Sequence, residues 1–450
     1  MERSQAMPQI KTRSKRIGIY GGTFGPLHYG HLLCAEWVRQ EFELDVVLFV
    51  TSGNGSPNKP WLKDAEARHQ MVVAATAENG YFDTSRVDID HGGSAYTLLS
   101  VEAIRQQYGE DAELFYLTSS EYLDPSYQWY LPSWEGAKEL FELCSFLVFP
   151  RERAQVAQVQ SWVDEIARTN KNARLQVLYV PSPELSSTLL RDLVRRGRSI
   201  RYMTPIAVQQ MVAKLRLYHD DTTVAPSNWT WQHPRPVKSV GIYGGRFDPI
   251  TYRNLFCAEW ARQEYGIDKV VFVTSNRPPK DAGVFASAED RHEMVVAAIS
   301  DNPYFEASRL DIERKTTSYT LLTVEQLRQQ YGEGVELSWF LSSEYLNPAH
   351  PEYLGSWMGA KKLFTLCRFL VFPCDGADIA EIEAWAKLLP QANVAVMKGC
   401  PSLPISSALI RERMAKGLSI WYTTPWPVQK MMEKRGLYTA QPPTRRRRIS

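Results

Sequence analysis

The chain lacks any run of about 18 uninterrupted apolar residues, which excludes an ordinary transmembrane helix. It also lacks a marked excess of charge of either sign. Its 52 Lys and Arg against 50 Asp and Glu leave a formal net charge of +2, too small to argue by itself for a nucleic-acid or membrane surface. The six cysteines form no CxxC pair. Cys34, Cys144, Cys257 and Cys367 sit in apolar or helical surroundings, so small buried thiols in a reducing compartment are expected. The basic opening MERSQAMPQIKTRSKR has no apolar run behind it and does not read as a secretory signal. A cytoplasmic location is therefore the expectation. What is present, 44% hydrophobic and 23% charged residues over 450 positions, suits two or three globular domains with sizeable cores.

An internal repeat organises the chain. GIYGG begins at Gly18 and Gly241, CAEW at Cys34 and Cys257, MVVAA at Met71 and Met294, SSEYL at Ser119 and Ser342, and FLVFP at Phe146 and Phe369. The offset stays at 223 residues through most of each copy and becomes 220 near the end, where Ser186 matches Ser406. The period is too long for a solenoid and marks a duplicated domain. The expected divisions are a basic disordered tail at 1–15, a first domain at 16–218, a proline-rich polar linker at 219–238, a second domain at 239–438 and an Arg-rich tail at 439–450. No nucleic-acid partner is expected apart from that tail. Arg445 to Arg448 could bind RNA or an acidic partner, and a solvated tail is the plainer reading.

Within each copy, apolar strand-like runs alternate with helix-like periods. In the first copy RIGIYGG, DVVLFVT, ELFYLTS, SFLVFP and RLQVLYV read as strands; the segments around His31–Phe42, Ala65–Ala77 and Trp134–Leu143, and one from near Ser186, read as helices. The alternation predicts an α/β fold with a doubly wound parallel sheet in each copy, ligands binding beyond the carboxyl ends of the strands.

GGTFGPLHYGH, from Gly21 to His31, follows the first strand. Gly21 and Gly22 would let the backbone approach a phosphate, with Thr23 beside them. His28 and His31 lie three apart where a helix opens, and the dipole there favours anions. Gly30 between them would leave room for a ligand. Histidines so placed can donate hydrogen bonds to a transferring phosphoryl group. Histidines at i and i+3 can equally chelate zinc or form a structural pair, although no third ligand of suitable spacing is evident. LSSTLLR, from Leu185 to Arg191, supplies Ser186, Ser187 and Thr188 as residues of N-cap type, with Arg191 inside the helix they open. Hydroxyls, unpaired N–H groups and an arginine at a helix start can cradle a polyphosphate; an ordinary capped surface helix is the bland alternative.

The first stretch resembles the (H/T)xGH signature of the nucleotidyltransferase superfamily, and LSSTLLR resembles the ISSTxIR element of the bacterial nicotinate mononucleotide adenylyltransferase family. The order of elements is also similar: loop, Lys59, the Arg68 helix, Ala95-Tyr96-Thr97, LPSW at Leu131 to Trp134, Arg151, then LSSTLLR. The resemblance implies two tandem Rossmann-like nucleotidyltransferase domains. It implies ATP as substrate and Mg²⁺ held by phosphates and water, with no metal ligand from protein side chains. It further implies His28 and His31 as catalytic groups. Gly21, Gly22, Thr23, Gly30, Lys59, Ser119, Glu121, Ser186, Ser187, Thr188 and Arg191 would contact ATP and its phosphates, and Arg68, Tyr96, Thr97, Trp134 and Arg151 the mononucleotide. Lys59 could also be a plain surface lysine, and Trp134 a core residue.

Departures accompany the likeness. The family's Asp in GGxFDP is Gly25, an acid of the SYTxDT segment is Leu99, and the ribose-binding GxD reads Ser119-Ser120-Glu121. In the second copy Thr251, Arg253 and Asn254 replace His28, Gly30 and His31; Ala408 replaces Thr188 and Cys374 replaces Arg151. Arg253 is expected to fill the nucleotide site, so the second copy should be folded and silent, as a covalent pseudo-dimer partner or regulatory domain. The first copy is expected to move AMP from ATP to nicotinate or nicotinamide mononucleotide. A nucleotide-binding pseudoenzyme and a transferase with another phosphorylated acceptor are the alternatives.

Overall fold

The computed structural model describes residues 16–53, 64–92, 97–150, 156–178, 180–181, 183–219, 236–277, 285–374 and 376–439. Lys59, Tyr96, Arg151, both tails and most of the expected linker lie outside the described residues. The chain divides into two compact units, Met1–Pro226 and Ser227–Ser450.

Unit one runs β1 (Arg16–Gly22), α1 (Tyr29–Glu41), β2 (Val46–Thr51), α2 (Ala65–Thr76), β3 (Phe82–Ser85), α3 (Val87–Asp90), α4 (Thr97–Tyr108), β4 (Glu113–Ser119), α5 (Ala137–Leu143), β5 (Cys144–Phe149), α6 (Val156–Thr169), β6 (Leu175–Val177), α7 (Ser187–Arg195) and α8 (Ile206–Lys214). Unit two repeats it: β7 (Ser239–Gly245), α9 (Tyr252–Glu264), β8 (Lys269–Thr274), α10 (Ala288–Ile299), β9 (Phe305–Ser308), α11 (Leu310–Arg314), α12 (Thr320–Tyr331), β10 (Glu336–Ser342), α13 (Ala360–Leu366), β11 (Arg368–Phe372), α14 (Ile379–Lys387), β12 (Val394–Val396), α15 (Ser407–Ala415) and α16 (Trp426–Arg435).

Each unit is a six-stranded sheet, ordered β3-β2-β1-β4-β5-β6 in unit one and β9-β8-β7-β10-β11-β12 in unit two, with every pairing parallel. This is the doubly wound class expected. The unbroken apolar runs arise because both faces of the sheet are covered. Val46, Leu48 and Val50 pack with Val101 and Ile104 of α4, Leu140 and Phe141 of α5, and Val159, Val163 and Ile166 of α6. Val47 and Phe49, pointing to the opposite face, are equally buried. The short β3 was not legible in advance: its four residues, FDTS, carry little apolar signal. Successive strands are added to one side of β1 as far as β3 and to its other side from β4 on, so a crevice opens between the carboxyl ends of β1 and β4, where the connections lead to opposite faces. The loops after Gly22 and Ser119 border it.

None of the six cysteines is in a disulfide, and Cys34, Cys144, Cys257, Cys367 and Cys400 are buried. Among the described residues no helix is long and apolar enough to cross a membrane.

Candidate active site

The first loop is shaped by what surrounds it. Gly21 and Gly22 are the last two residues of β1, paired with Val50 and Thr51, rather than loop residues beyond it. A Cβ on Gly21 would lie 2.6 Å from the Tyr116 hydroxyl, and one on Gly22 would lie 2.9 Å from the Phe24 ring. These glycines therefore make room for aromatic side chains at the strand end. His28, only 3% exposed, is the N-cap of α1 in an extended conformation. Its backbone N–H donates to Nδ1 of His31 across 3.3 Å. That bond makes Nδ1 an acceptor and leaves the neutral ring's proton on Nε2. The two imidazoles lie against each other, centroids 3.7 Å apart, and the edge of Phe24 packs on His31 at 5.3 Å. A Cβ on Gly30 would come within 2.9 Å of His28 Nδ1. The immediate need for glycine there is thus the His28 ring, not a ligand.

The LSSTLLR segment is built onto this loop. Ser186 caps α7, its hydroxyl accepting from the Leu189 N–H at 3.1 Å. Ser187 Oγ donates to the Pro26 carbonyl at 2.9 Å, and Arg191 Nη1 to the Gly25 carbonyl at 2.7 Å, while Arg191 Nη2 donates to Thr188 Oγ1 at 3.0 Å. Thr204 Oγ1 takes the next carbonyl, Leu27, at 2.6 Å. From α2, Arg68, expected to contact the mononucleotide, is 2% exposed and donates instead to the carbonyls of Thr23 and Gly53, each at 2.7 Å. Carbonyls of Thr23, Gly25, Pro26 and Leu27 are thereby tied down by chemically strong donors. Unit two repeats the bracing: Ser407 to Pro249, Arg411 to Asp248, Thr424 to Ile250 and Arg291 to Arg246. Since it persists where the histidines are gone, this bracing holds the loop whatever the chemistry.

Other expected residues border the crevice. Ser119 ends β4 and is buried; Glu121, half-buried, follows it. Thr97 opens α4, and complete burial pushes the Tyr116 phenol far above its ordinary value, with the nearby Thr97 side chain opposing the shift. Trp134 donates its indole N–H to the Trp129 carbonyl at 2.8 Å and stands edge-on to Tyr116 and Tyr122 at 6.1 and 5.5 Å. It is half-buried against the core, so both expected roles, ring platform and core residue, fit its position. Leu99 is 44% exposed on α4. Asp88 was missed: Ser100 Oγ donates to it, and burial raises its carboxyl above the usual range. The repeat carries a signal for it, because Asp311 occupies the matching place and accepts from Thr323 Oγ1 at 2.6 Å.

Unit two shows what has been dismantled. Thr251 caps α9, its N–H and Oγ donating to Asn254 Oδ1, each at 2.9 Å, while Asn254 Nδ2 donates to the Tyr243 hydroxyl at 3.0 Å. The groups in the histidines' places are turned to one another. Asp248, 3% exposed, accepts from the N–H groups of Phe285 and Ala286 and from the Tyr438 hydroxyl at 2.6 Å, with Arg291 nearby. In unit one Gly25 offers no carboxylate. There burial holds Arg68 and Arg191 below their ordinary values, and the nearby Tyr218 phenol is pushed up to about 12, chiefly by burial. Arg253, expected to fill the second site, instead lines an open cavity of about 900 Å³. Its neighbour at the N-cap is threonine, so the Cβ of residue 253 has no imidazole to meet.

A doubly wound parallel sheet with paired histidines at the first strand–helix turn, braced by a serine-capped helix, defines a Rossmann-like nucleotidyltransferase. The chain belongs to the cytidylyltransferase-like family, whose family model matches residues 19–193 and 242–413, once in each unit. The protein named "Probable nicotinate-nucleotide adenylyltransferase" in Thermoanaerobacter sp. (strain X514) is 36% identical over 211 residues, 46% of this chain and 97% of that one. Its namesake in Moorella thermoacetica is 35% identical over 210 residues, covering 46% and 94%. Among solved structures, a Plasmodium falciparum nicotinic acid mononucleotide adenylyltransferase complexed with NaAD is 19% identical, with a TM-score of 0.38, covering 45% of this chain and 97% of its own.

Proposed function

We propose that unit one transfers the adenylyl group of ATP to nicotinate or nicotinamide mononucleotide and releases pyrophosphate, the step that forms the dinucleotide in NAD biosynthesis. The observation that carries this reading is the His28–His31 pair at the start of α1, with the Nε2 proton of His31 fixed by the His28 N–H. The named activity of relatives similar over nearly their whole length supplies the substrates.

In this reading a phosphate oxygen of the mononucleotide attacks the α-phosphorus in line. The bond to the bridging oxygen breaks, and pyrophosphate leaves with that electron pair. His28 and His31 stabilise charge on the α-phosphoryl oxygens, a role that needs positioned donors and no covalent intermediate. Ser187 and Arg191 hold the loop and, with Ser186 and Thr188, face the β- and γ-phosphates, with Lys59 and Thr23 as further contacts and Gly21, Gly22 and Gly30 shaping the floor. Ser119 and Glu121 serve the ATP ribose; Arg68 stiffens the loop; Tyr96, Thr97, Trp134 and Arg151 border the mononucleotide.

Imidazole N–H groups and a helix N-terminus suit anions rather than a cation, so Mg²⁺ fits on the triphosphate oxygens and water. When bound it would neutralise phosphate charge. Unit two is read as a non-catalytic covalent companion of unit one, in a cytoplasmic chain.

The test is pyrophosphate release by the full chain with ATP and each mononucleotide. Turnover with one of them, lowered about 10²- to 10³-fold by His31→Ala without loss of the folded state, is expected. Absence of turnover with both mononucleotides would sink the reading.

A further inference from the structure

The two units also differ behind the loop. In unit two the Asp248 carboxylate, 3% exposed, accepts from the Tyr438 hydroxyl at 2.6 Å and from the N–H groups of Phe285 and Ala286 at 2.9 and 3.2 Å. Its charge acts on the buried Arg291. Among the described residues, the cavity of about 900 Å³ at the strand ends is not lined by Asp248, Arg291, Arg411 or Tyr438. This carboxylate therefore belongs to the back of the loop, away from the crevice.

Unit one keeps the framework and omits the acid. Gly25 stands where Asp248 does and is buried. Its backbone follows the same path. Phe24 and Phe247, which precede the two residues, have φ of 45° and 50°, and Arg191 and Arg411 hold the carbonyls of Gly25 and Asp248 at 2.7 and 2.6 Å. Arg68 matches Arg291, and each donates to the corresponding loop carbonyl, of Thr23 or of Arg246. Tyr218 matches Tyr438. Both arginines of unit one act on the Tyr218 phenol, as those of unit two act on Tyr438. The same three groups thus surround one place in each unit.

What changes is the charge there. Arg68 and Arg191 are 2% and 6% exposed. Carbonyl oxygens satisfy the N–H groups of a buried guanidinium, but its charge stays costly until an anion lies near. Asp64, which acts on Arg68 and Tyr218, is exposed at the N-cap of α2, and its carboxylate accepts from the Ala67 N–H at 2.7 Å. The preceding stretch, NGSPNKPWLK at 54–63, contains no acid. The side chain that glycine lacks, a methylene and a carboxylate, has the heavy atoms of acetate. A phenol hydroxyl beside a planar guanidinium suits a planar acceptor with two oxygens.

We propose that unit one binds a small carboxylate anion of acetate size behind the histidine loop, where the Asp248 side chain lies in unit two, with Arg68 and Tyr218 as its partners. The bound anion completes the bracing of the loop. The site is separate from the crevice and does not depend on which reaction unit one carries out.

The experiment is differential scanning calorimetry of the full chain in sodium acetate, against the sodium salt of a bulky sulfonate at equal pH and ionic strength. Circular dichroism establishes that each variant is folded. Acetate should raise the melting temperature of wild-type unit one by about 3 °C or more over the sulfonate. In Gly25→Asp, which supplies the carboxylate covalently, the rise should vanish. In Tyr218→Phe, which removes one donor, it should fall by about half or more. Absence of a rise in the wild type, or an equal rise in folded Gly25→Asp, overturns the proposal. Should Gly25→Asp fail to fold, an undiminished rise in Tyr218→Phe overturns it. Melting is read here rather than turnover, so a chain that transfers no adenylyl group can still support this site, and loss of the acetate effect leaves the proposed reaction untouched.

Discussion

Arg191 donates to the carbonyl of Gly25 across 2.7 Å, joining residues 166 positions apart. The bond makes one element of two motifs that look separate in the sequence, since the serine-capped helix holds the histidine loop in place. Arg411 does the same for Asp248 at 2.6 Å in the unit without histidines.

Arg191→Ala should therefore act first on the loop. It strands a buried carbonyl, at a cost of about 1–3 kcal/mol. The melting temperature of unit one should fall, and pyrophosphate release with it. Arg411→Ala should lower the stability of unit two and leave release unchanged. Calorimetry of both variants beside the release assay checks this.

Gly30→Ala is expected to disable unit one without touching the chemistry directly. Its new Cβ meets His28 Nδ1 at 2.9 Å, so the buried ring must move. Displacement of a catalytic group by about 1 Å can lower turnover about 10²-fold. Arg253→Gly, the reverse change in unit two, should leave turnover as it was. Steady-state kinetics of the two variants tests the contrast.

Gly25→Asp should stabilise unit one. At the matching position Asp248 sits near Arg291 and accepts from Tyr438. Unit one retains Arg68, Arg191 and Tyr218 but has no such carboxylate. A charged hydrogen bond contributes about 1.5–3 kcal/mol, so a rise of several degrees in melting temperature is expected. A fall would show that the space around Gly25 differs from that around Asp248.

Acidification should destabilise both units through matching histidines. Burial, then Arg86, holds His69 below its ordinary value; burial, then Arg309, does so for His292. The unfolded chain takes up these protons first, near pH 6.5, and the folded chain only at lower pH. Their contribution to stability is complete above pH 6.5 and is lost as pH falls from there through the folded values. His69→Gln with His292→Gln should flatten the fall in melting temperature between pH 7 and pH 5, a comparison thermal melts can make directly.

The duplication, the parallel doubly wound class and the histidine pair at the first turn were legible because each is a local signal. Identity at a fixed offset, apolar runs between helical periods and two imidazoles three residues apart need no knowledge of distant contacts. The same comparison revealed the dismantled second site, since Thr251, Arg253 and Asn254 stand in known places. β3 escaped because four mixed residues carry no period, and Asp88 because a single acid on a short helix has no pattern of its own.

Only the tertiary structure decided what the recognised donors hold. The residue types of Ser187 and Arg191 announced hydrogen bonds, but the acceptors, the Pro26 and Gly25 carbonyls, lie more than 160 residues away. Gly21, Gly22 and Gly30 announced crowding, and only packing showed the crowding groups to be Tyr116, Phe24 and His28. That Arg253 lines an open cavity rather than closing it depends on the threonine beside it and on the walls around both. Hydrogen-bond partners and free volume are properties of non-local packing, which a linear pattern of residue types does not encode.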